Sequence, residues 1–195
     1  QMKRYSVPCI AFINKLDRSG ANPERVISQL RSKLGHHAVA MQMPIGLESN
    51  FEAVIDLVSM EADYFDGDHG QIIRREAIPE THLAEARAKR EEMLDAAAMF
   101  SDELMEAALE GREIPESLIY DAVRRGTIER KMTPVYMGYA YKNKGVQLLL
   151  DAVTQVLPAP PDVPNVALDR DKGETPVTLD ADPAKPLVAF AFKLE

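Results

Sequence analysis

The chain has 195 residues, 46% of them apolar and 28% charged, and 31 acidic against 23 basic side chains give a net charge of −8. These figures describe a globular chain long enough for a sizeable core. The acidic balance argues against a surface that wraps nucleic-acid phosphates, and no stretch approaches the roughly 20 apolar residues a membrane span needs. The single cysteine, Cys9, excludes an intramolecular disulfide and suits a reducing compartment.

Residues 7–13 form an apolar run of buried-strand composition, and Asn14-Lys15-Leu16-Asp17 follows it directly. Ligands of open α/β sheets bind at the carboxyl ends of strands, so this position suits a binding loop. A carboxylate there accepts the two adjacent donors of guanine, N1–H and N2–H2, as a charge-assisted fork. Adenine offers no such pair and leaves the carboxylate under-satisfied, at a cost of about 1–3 kcal/mol. Asp17 therefore sets base identity, Asn14 braces the loop, and the alkyl stem of Lys15 lies over the base. Without the strand in front of it, the same four-residue pattern would be explained by a solvated loop.

Asn22-Pro23-Glu24, then Val26, Ile27, Leu30 and Leu34 at helical spacing and Gly35 as a stop, predict a helix. From Ala38 the period becomes two, and residues 38–45, 51–58, 62–65 and 71–75 read as short strands, with Gly67 and Gly70 in the last turn. Residues 79–100 read as a helix with Leu83, Ala86, Arg90, Leu94 and Ala97 on one side. Ser101 caps a second helix closed by Gly111, and Pro115 starts a third that ends at Arg124-Arg125-Gly126. Residues 134–137 read as a strand, Gly138-Tyr139-Ala140 as a tight loop, and Asn143 onward as a helix that ends before Pro158. Seven prolines between 158 and 186 mark a linker, and residues 187–193 read as a new strand. Both ends look cut, as in an internal piece of a longer protein.

Taken together, these segments resemble the elongation factor G family of ribosomal translocation GTPases. Asn14-Lys15-Leu16-Asp17-Arg18 with Gly20-Ala21-Asn22 is similar to the family's guanine-specificity motif. Pro44-Ile45-Gly46, Val54-Ile55-Asp56-Leu57-Val58 and Ser101-Asp102-Glu103-Leu104 resemble the insert carried within its GTPase domain. The run from Lys142 to Gln147 and the pair Leu157-Pro158 resemble the segment after the last guanine motif, and residues 189–193 the opening strand of the second domain. Tyr64-Phe65-Asp66-Gly67-Asp68 leans toward the branch that includes the mitochondrial factors.

The resemblance implies an α/β fold: the carboxyl-terminal half of a doubly wound P-loop GTPase domain, carrying an α+β insert, plus the first strand of a β-barrel. The implied divisions are 1–42 and 132–158 for the GTPase domain, 43–131 for the insert, 159–186 for the linker and 187–195 for the barrel strand. It implies Asn14, Lys15, Asp17, Tyr139 and Ala140 as nucleotide-binding residues, the Ala140 N–H facing guanine O6. Tyr139 stands where the family usually has serine. The resemblance also implies GTP or GDP as cofactor, with Mg2+ in the full-length parent, and makes that parent a ribosome-dependent GTP hydrolase. This piece has no Gly-x-x-x-x-Gly-Lys-Ser/Thr loop and no catalytic or metal residues of its own, so it is expected to be inactive alone.

The implied partners are the ribosome and, through the insert helices, the stalk proteins of its large subunit. Glu85, Glu92, Asp95, Asp102, Glu103 and Glu106 offer a field for a basic face, although such charges also serve solubility. A monomer in a bacterial cytoplasm or a mitochondrial matrix suits the chain. The rival readings are a release factor or ribosomal protection protein of the same superfamily, and a non-enzymatic ribosome-interaction module. The four histidines lack metal-ligand spacing, and methionines 41, 43, 60, 93, 99 and 105 read as core filling.

Overall fold

The computed structural model describes residues 2–163 and 165–193. They fall into two compact units, divided between Leu157 and Pro158. In the first, a one-turn helix α1 (Met2–Tyr5) leads to β1 (Ala11–Ile13). The strand expected over 7–13 is cut to its last three residues. Ser6 turns the backbone at φ 55°, and Pro8 has no N–H to give a ladder.

β1, β7 (Thr133–Met137) and β2 (Ala38–Ala40) form a sheet in the order β1-β7-β2, with both pairings parallel. The helix α2 (Pro23–Ser32) crosses between β1 and β2, and Asn22 Oδ1 accepts the Arg25 N–H at 2.8 Å as its cap. Parallel strands are buried on both faces, and β7 is buried throughout. Val135 and Met137 join Ile13, Ile27 and Ala38 in one core cluster, while Tyr136 joins Val39 in the other.

Residues 38–45, expected as one strand, are two strands in two sheets. β3 (Gln42–Ile45) opens an antiparallel meander with β4 (Ala53–Asp56), β5 (Glu61–Asp66) and β6 (Ile72–Ala77). Periodicity cannot register the change, because Val39, Met41, Gln42 and Met43 are all buried across it.

The helices α3 (Glu80–Ala98), α4 (Asp102–Glu110) and α5 (Glu116–Ile128) follow, and α3 and α5 pack on β2 and β7. Met93, Ala97 and Ile119 share a core with Val39, Met41, Tyr136 and, from α6 (Val146–Val156), Ala152 and Val156. α3 and α5 thus supply one helical layer of the parallel sheet. Along α3, Met93 is fully buried, and Arg90 is drawn in to donate to the carbonyls of Leu57 and Val58. Met99 and Met105 are 69% and 42% exposed, so they fill no core gap.

Two helix ends differ from expectation. α5 continues through Gly126, whose missing side chain makes room for the Phe100 ring. α6 begins at Val146 and not at Asn143, because Asn143 and Gly145 both hold positive φ, 55° and 86°.

In the second unit, β8 (Asn165–Asp169) and β9 (Thr175–Leu179) form an antiparallel hairpin inside the stretch expected to be linker. Residues 187–193 form no strand; Leu187, Phe190 and Phe192 are 93%, 85% and 85% exposed, and no ladder pairs with them among the described residues. An alternating apolar run is a strand only beside a partner. Residues 194 and 195 of the segment expected to open the barrel lie outside the described residues. Among the described residues no helix is long and apolar enough to cross a membrane.

Candidate functional site

The parallel pairing of β1 with β7 brings together two loops more than 120 residues apart in sequence. Gly138 N–H donates to Ile13 O at 2.9 Å, and Leu16 N–H donates to Gly138 O at 3.2 Å. Asn14 Oδ1 then accepts two backbone donors, Lys15 N–H at 2.7 Å and Ala140 N–H at 3.0 Å. Asn14 is therefore the brace between the loops. The Ala140 N–H is engaged there, so an incoming carbonyl oxygen must share it or replace Asn14.

Asp17 lies in a cleft of about 530 Å³ whose walls include Tyr139, Lys142, Lys144, Phe51 and Asp68. Its side chain is 20% exposed, with Oδ2 at 3.5 Å from Arg18 Nε, while Oδ1 is buried and has no hydrogen-bond partner. A buried acceptor without a donor is a defect in a folded protein and a recognition device once a ligand brings donors. Guanine brings two on one edge. Lys15 is exposed, at φ 65°, with its stem free to lie over a base.

Tyr139 stacks on Tyr141 with ring centroids 6.2 Å apart. Partial burial raises the Tyr139 phenol above its ordinary value, and the Asp17 carboxylate beside it adds to the shift. The loop is shaped by close backbone approach. Tyr139 N–H donates to Lys144 O at 2.8 Å, and a Cβ on Gly138 would stand 2.2 Å from that same oxygen.

Sequence reasoning missed several residues that build this site. Glu48, at φ 59°, donates its N–H to Leu16 O at 2.7 Å and accepts Gly20 N–H on Oε1 at 2.6 Å, tying the loop after β3 to the Asp17 loop. The β5–β6 turn reaches the same place, where Gln147 Nε2 donates to Gly70 O at 2.7 Å. Only the pair Gly67 and Gly70 signalled that turn, and nothing in the sequence tells where a turn docks. Histidines 36, 37, 69 and 82 do not gather, and among the described residues no group of three or more His, Cys, Asp or Glu side chains can hold a metal ion.

Comparison with known proteins places this geometry. The family model for the elongation factor Tu GTP binding domain matches residues 1–159. Over its whole length the chain is 59% identical to elongation factor G 1 of Syntrophus aciditrophicus (strain SB) and 57% identical to elongation factor G 1 of Borreliella afzelii (strain PKo). It is 58% identical to elongation factor G 2 of Anaeromyxobacter dehalogenans (strain 2CP-C), and it spans 28% of the length of each of these relatives. A crystal structure of a protein from Thermus thermophilus matches with a TM-score of 0.71 at 23% identity, over 85% of this chain and 25% of that one, a likeness of fold alone. With 159 of 195 residues matched, the chain belongs to the elongation factor Tu GTP-binding domain family.

Proposed function

We propose that this chain is the base-reading part of a translational GTPase of the elongation factor G kind, which couples GTP hydrolysis to movement of tRNA and mRNA through the ribosome. The observation that carries the reading is Asp17 Oδ1, a buried acceptor without a donor in a cleft that Tyr139 also walls. Asp17 would receive guanine N1–H and N2–H2, Ala140 N–H would meet O6, Asn14 would hold the two loops in register, and Lys15 and Tyr139 would flank the base. The nucleotide supplies the phosphates at which hydrolysis occurs. The groups that cradle phosphate and Mg2+ have no counterpart in this sequence, so the chain alone is expected not to turn over GTP. The relatives' names favour the translocase over a release factor or a protection protein.

The acidic helices support a further part of the reading, docking of large-subunit stalk proteins. Two of the six carboxylates are already engaged: Glu92 with Arg31 at 2.7 Å, and Glu85 with Lys89 at 3.9 Å. Asp102, Glu103 and Glu106 make no ion pair among the described residues and lie on α4 with exposed Met105 and Leu109, an apolar strip bordered by negative charge. Such a surface suits a basic partner face with an apolar centre.

The test is competition binding on the full-length protein that contains this chain, as a monomer in solution. Guanosine diphosphate should displace a fluorescent guanine nucleotide at concentrations at which adenosine diphosphate does not. Equal displacement by both would refute the assignment of base reading to Asp17.

A further inference from the structure

Gln42 is the first residue of β3, and its side chain is almost wholly enclosed, with the residue 1% exposed. Its backbone belongs to the antiparallel meander, paired with Asp56 of β4. Its side chain belongs to the parallel sheet: Oε1 accepts the Met137 N–H at 3.1 Å, across 95 residues of sequence.

The parallel ladder explains this double membership. Met41 N–H donates to Val135 O at 3.0 Å, so a β2 that ran on would next offer the Met41 carbonyl to the Met137 N–H. The chain turns away into the meander at that point, and the Met41 carbonyl instead accepts Leu57 N–H at 3.0 Å. β7 is left with a buried donor at its last residue, one position before the Gly138 loop. The Gln42 amide replaces the missing carbonyl. The other end of the same loop segment is also held from the meander, by Gln147 Nε2 on Gly70 O of the β5–β6 turn. The second half of the Gln42 amide, Nε2, is buried without a partner. Packing alone would favour an apolar side chain at such a place, so the acceptor is the part of Gln42 that matters.

We propose that Gln42 is a positioning residue for the guanine loop: its Oε1 fixes the end of β7 and so sets where Gly138-Tyr139-Ala140 stands relative to Asp17. It also makes the first strand of the antiparallel meander a direct determinant of nucleotide affinity. The consequence for affinity rests on the guanine reading above, whereas the effect on loop order does not.

The experiment compares the full-length wild type with Gln42→Met, which keeps length and bulk but has no comparable acceptor, and with Gln42→Glu, which keeps an oxygen at the Oε1 position. Amide hydrogen exchange is read over residues 137–140 and, as a control, within α3 and α5; guanosine diphosphate affinity is read by fluorescence. In Gln42→Met the 137–140 amides should exchange at least tenfold faster with α3 and α5 unchanged, and affinity should fall about tenfold. Gln42→Glu should recover both. Wild-type exchange at 137–140 in Gln42→Met overturns the proposal, as does acceleration shared equally by α3 and α5, which would mark simple destabilisation. If the wild type binds no guanine nucleotide, the guanine reading fails, and the exchange comparison still decides the role of Gln42.

Discussion

Gly138→Ala probes the closest backbone approach in the candidate site. The added Cβ would stand 2.2 Å from Lys144 O and 3.1 Å from Phe12 Cζ. Ordinary contact needs about 3.5 Å, so the Lys144 carbonyl would have to retreat by roughly 1 Å. That oxygen accepts the Tyr139 N–H at 2.8 Å, and retreat breaks the bond. The lost hydrogen bond costs about 1 kcal/mol and the overpacking about 1–3 kcal/mol, together about 2–4 kcal/mol. For a domain of this size each kcal/mol lowers the melting temperature by about 2–4 °C, so the expected drop is roughly 4–16 °C. Thermal unfolding followed by circular dichroism reads the loss, and nucleotide affinity in the full-length protein should fall with it. A melting temperature within about 1 °C of wild type would refute the packing of residue 138 against residue 144.

Gly126→Ala would place a Cβ 2.6 Å from the Phe100 ring and 3.1 Å from Met132 Cβ. Its helix-propensity gain of about 1 kcal/mol offsets part of an overpacking cost of about 1–3 kcal/mol, so a net loss of up to about 2 kcal/mol is expected in urea titration; a stabilised variant would contradict it. For Asp56, burial raises the carboxyl from 3.8 to about 6, against the N–H donors of Val58 and Ser59. The folded state then holds this proton more tightly than the unfolded state. Its contribution is complete below about pH 4 and is lost as pH rises through about 6. Asp56→Asn should therefore gain on wild type between pH 4 and pH 7, by at most about 3 kcal/mol and by less because the residue is partly exposed; parallel stability curves would refute this.

Much of the fold is legible where local chemistry and tertiary packing agree. Asn22 with Pro23 announces α2 and Ser101 announces α4, since a cap is a local event; Ser101 Oγ accepts the Leu104 N–H at 3.3 Å. Legibility ends where a distant partner decides. Residues 38–45 keep one apolar pattern across the change of sheet at Met41, and residues 187–193 carry a strand pattern with nothing to pair with among the described residues. In the site, Asn14, Lys15, Asp17, Tyr139 and Ala140 are legible from motif resemblance. Glu48 and Gln42 are not, because their roles rest on hydrogen bonds to Leu16, Gly20 and Met137, far away in sequence.

The central claim is that Asp17 selects the base through two accepted hydrogen bonds, and Asp17→Asn in the full-length protein tests it most directly. The amide keeps one acceptor and turns a donor toward the C2 position, where guanine has its amino group and xanthine a carbonyl. Affinity for guanosine diphosphate should fall at least about tenfold, the loss of a charge-assisted pair, while affinity for xanthosine diphosphate rises. An unchanged ratio of the two affinities would contradict the account.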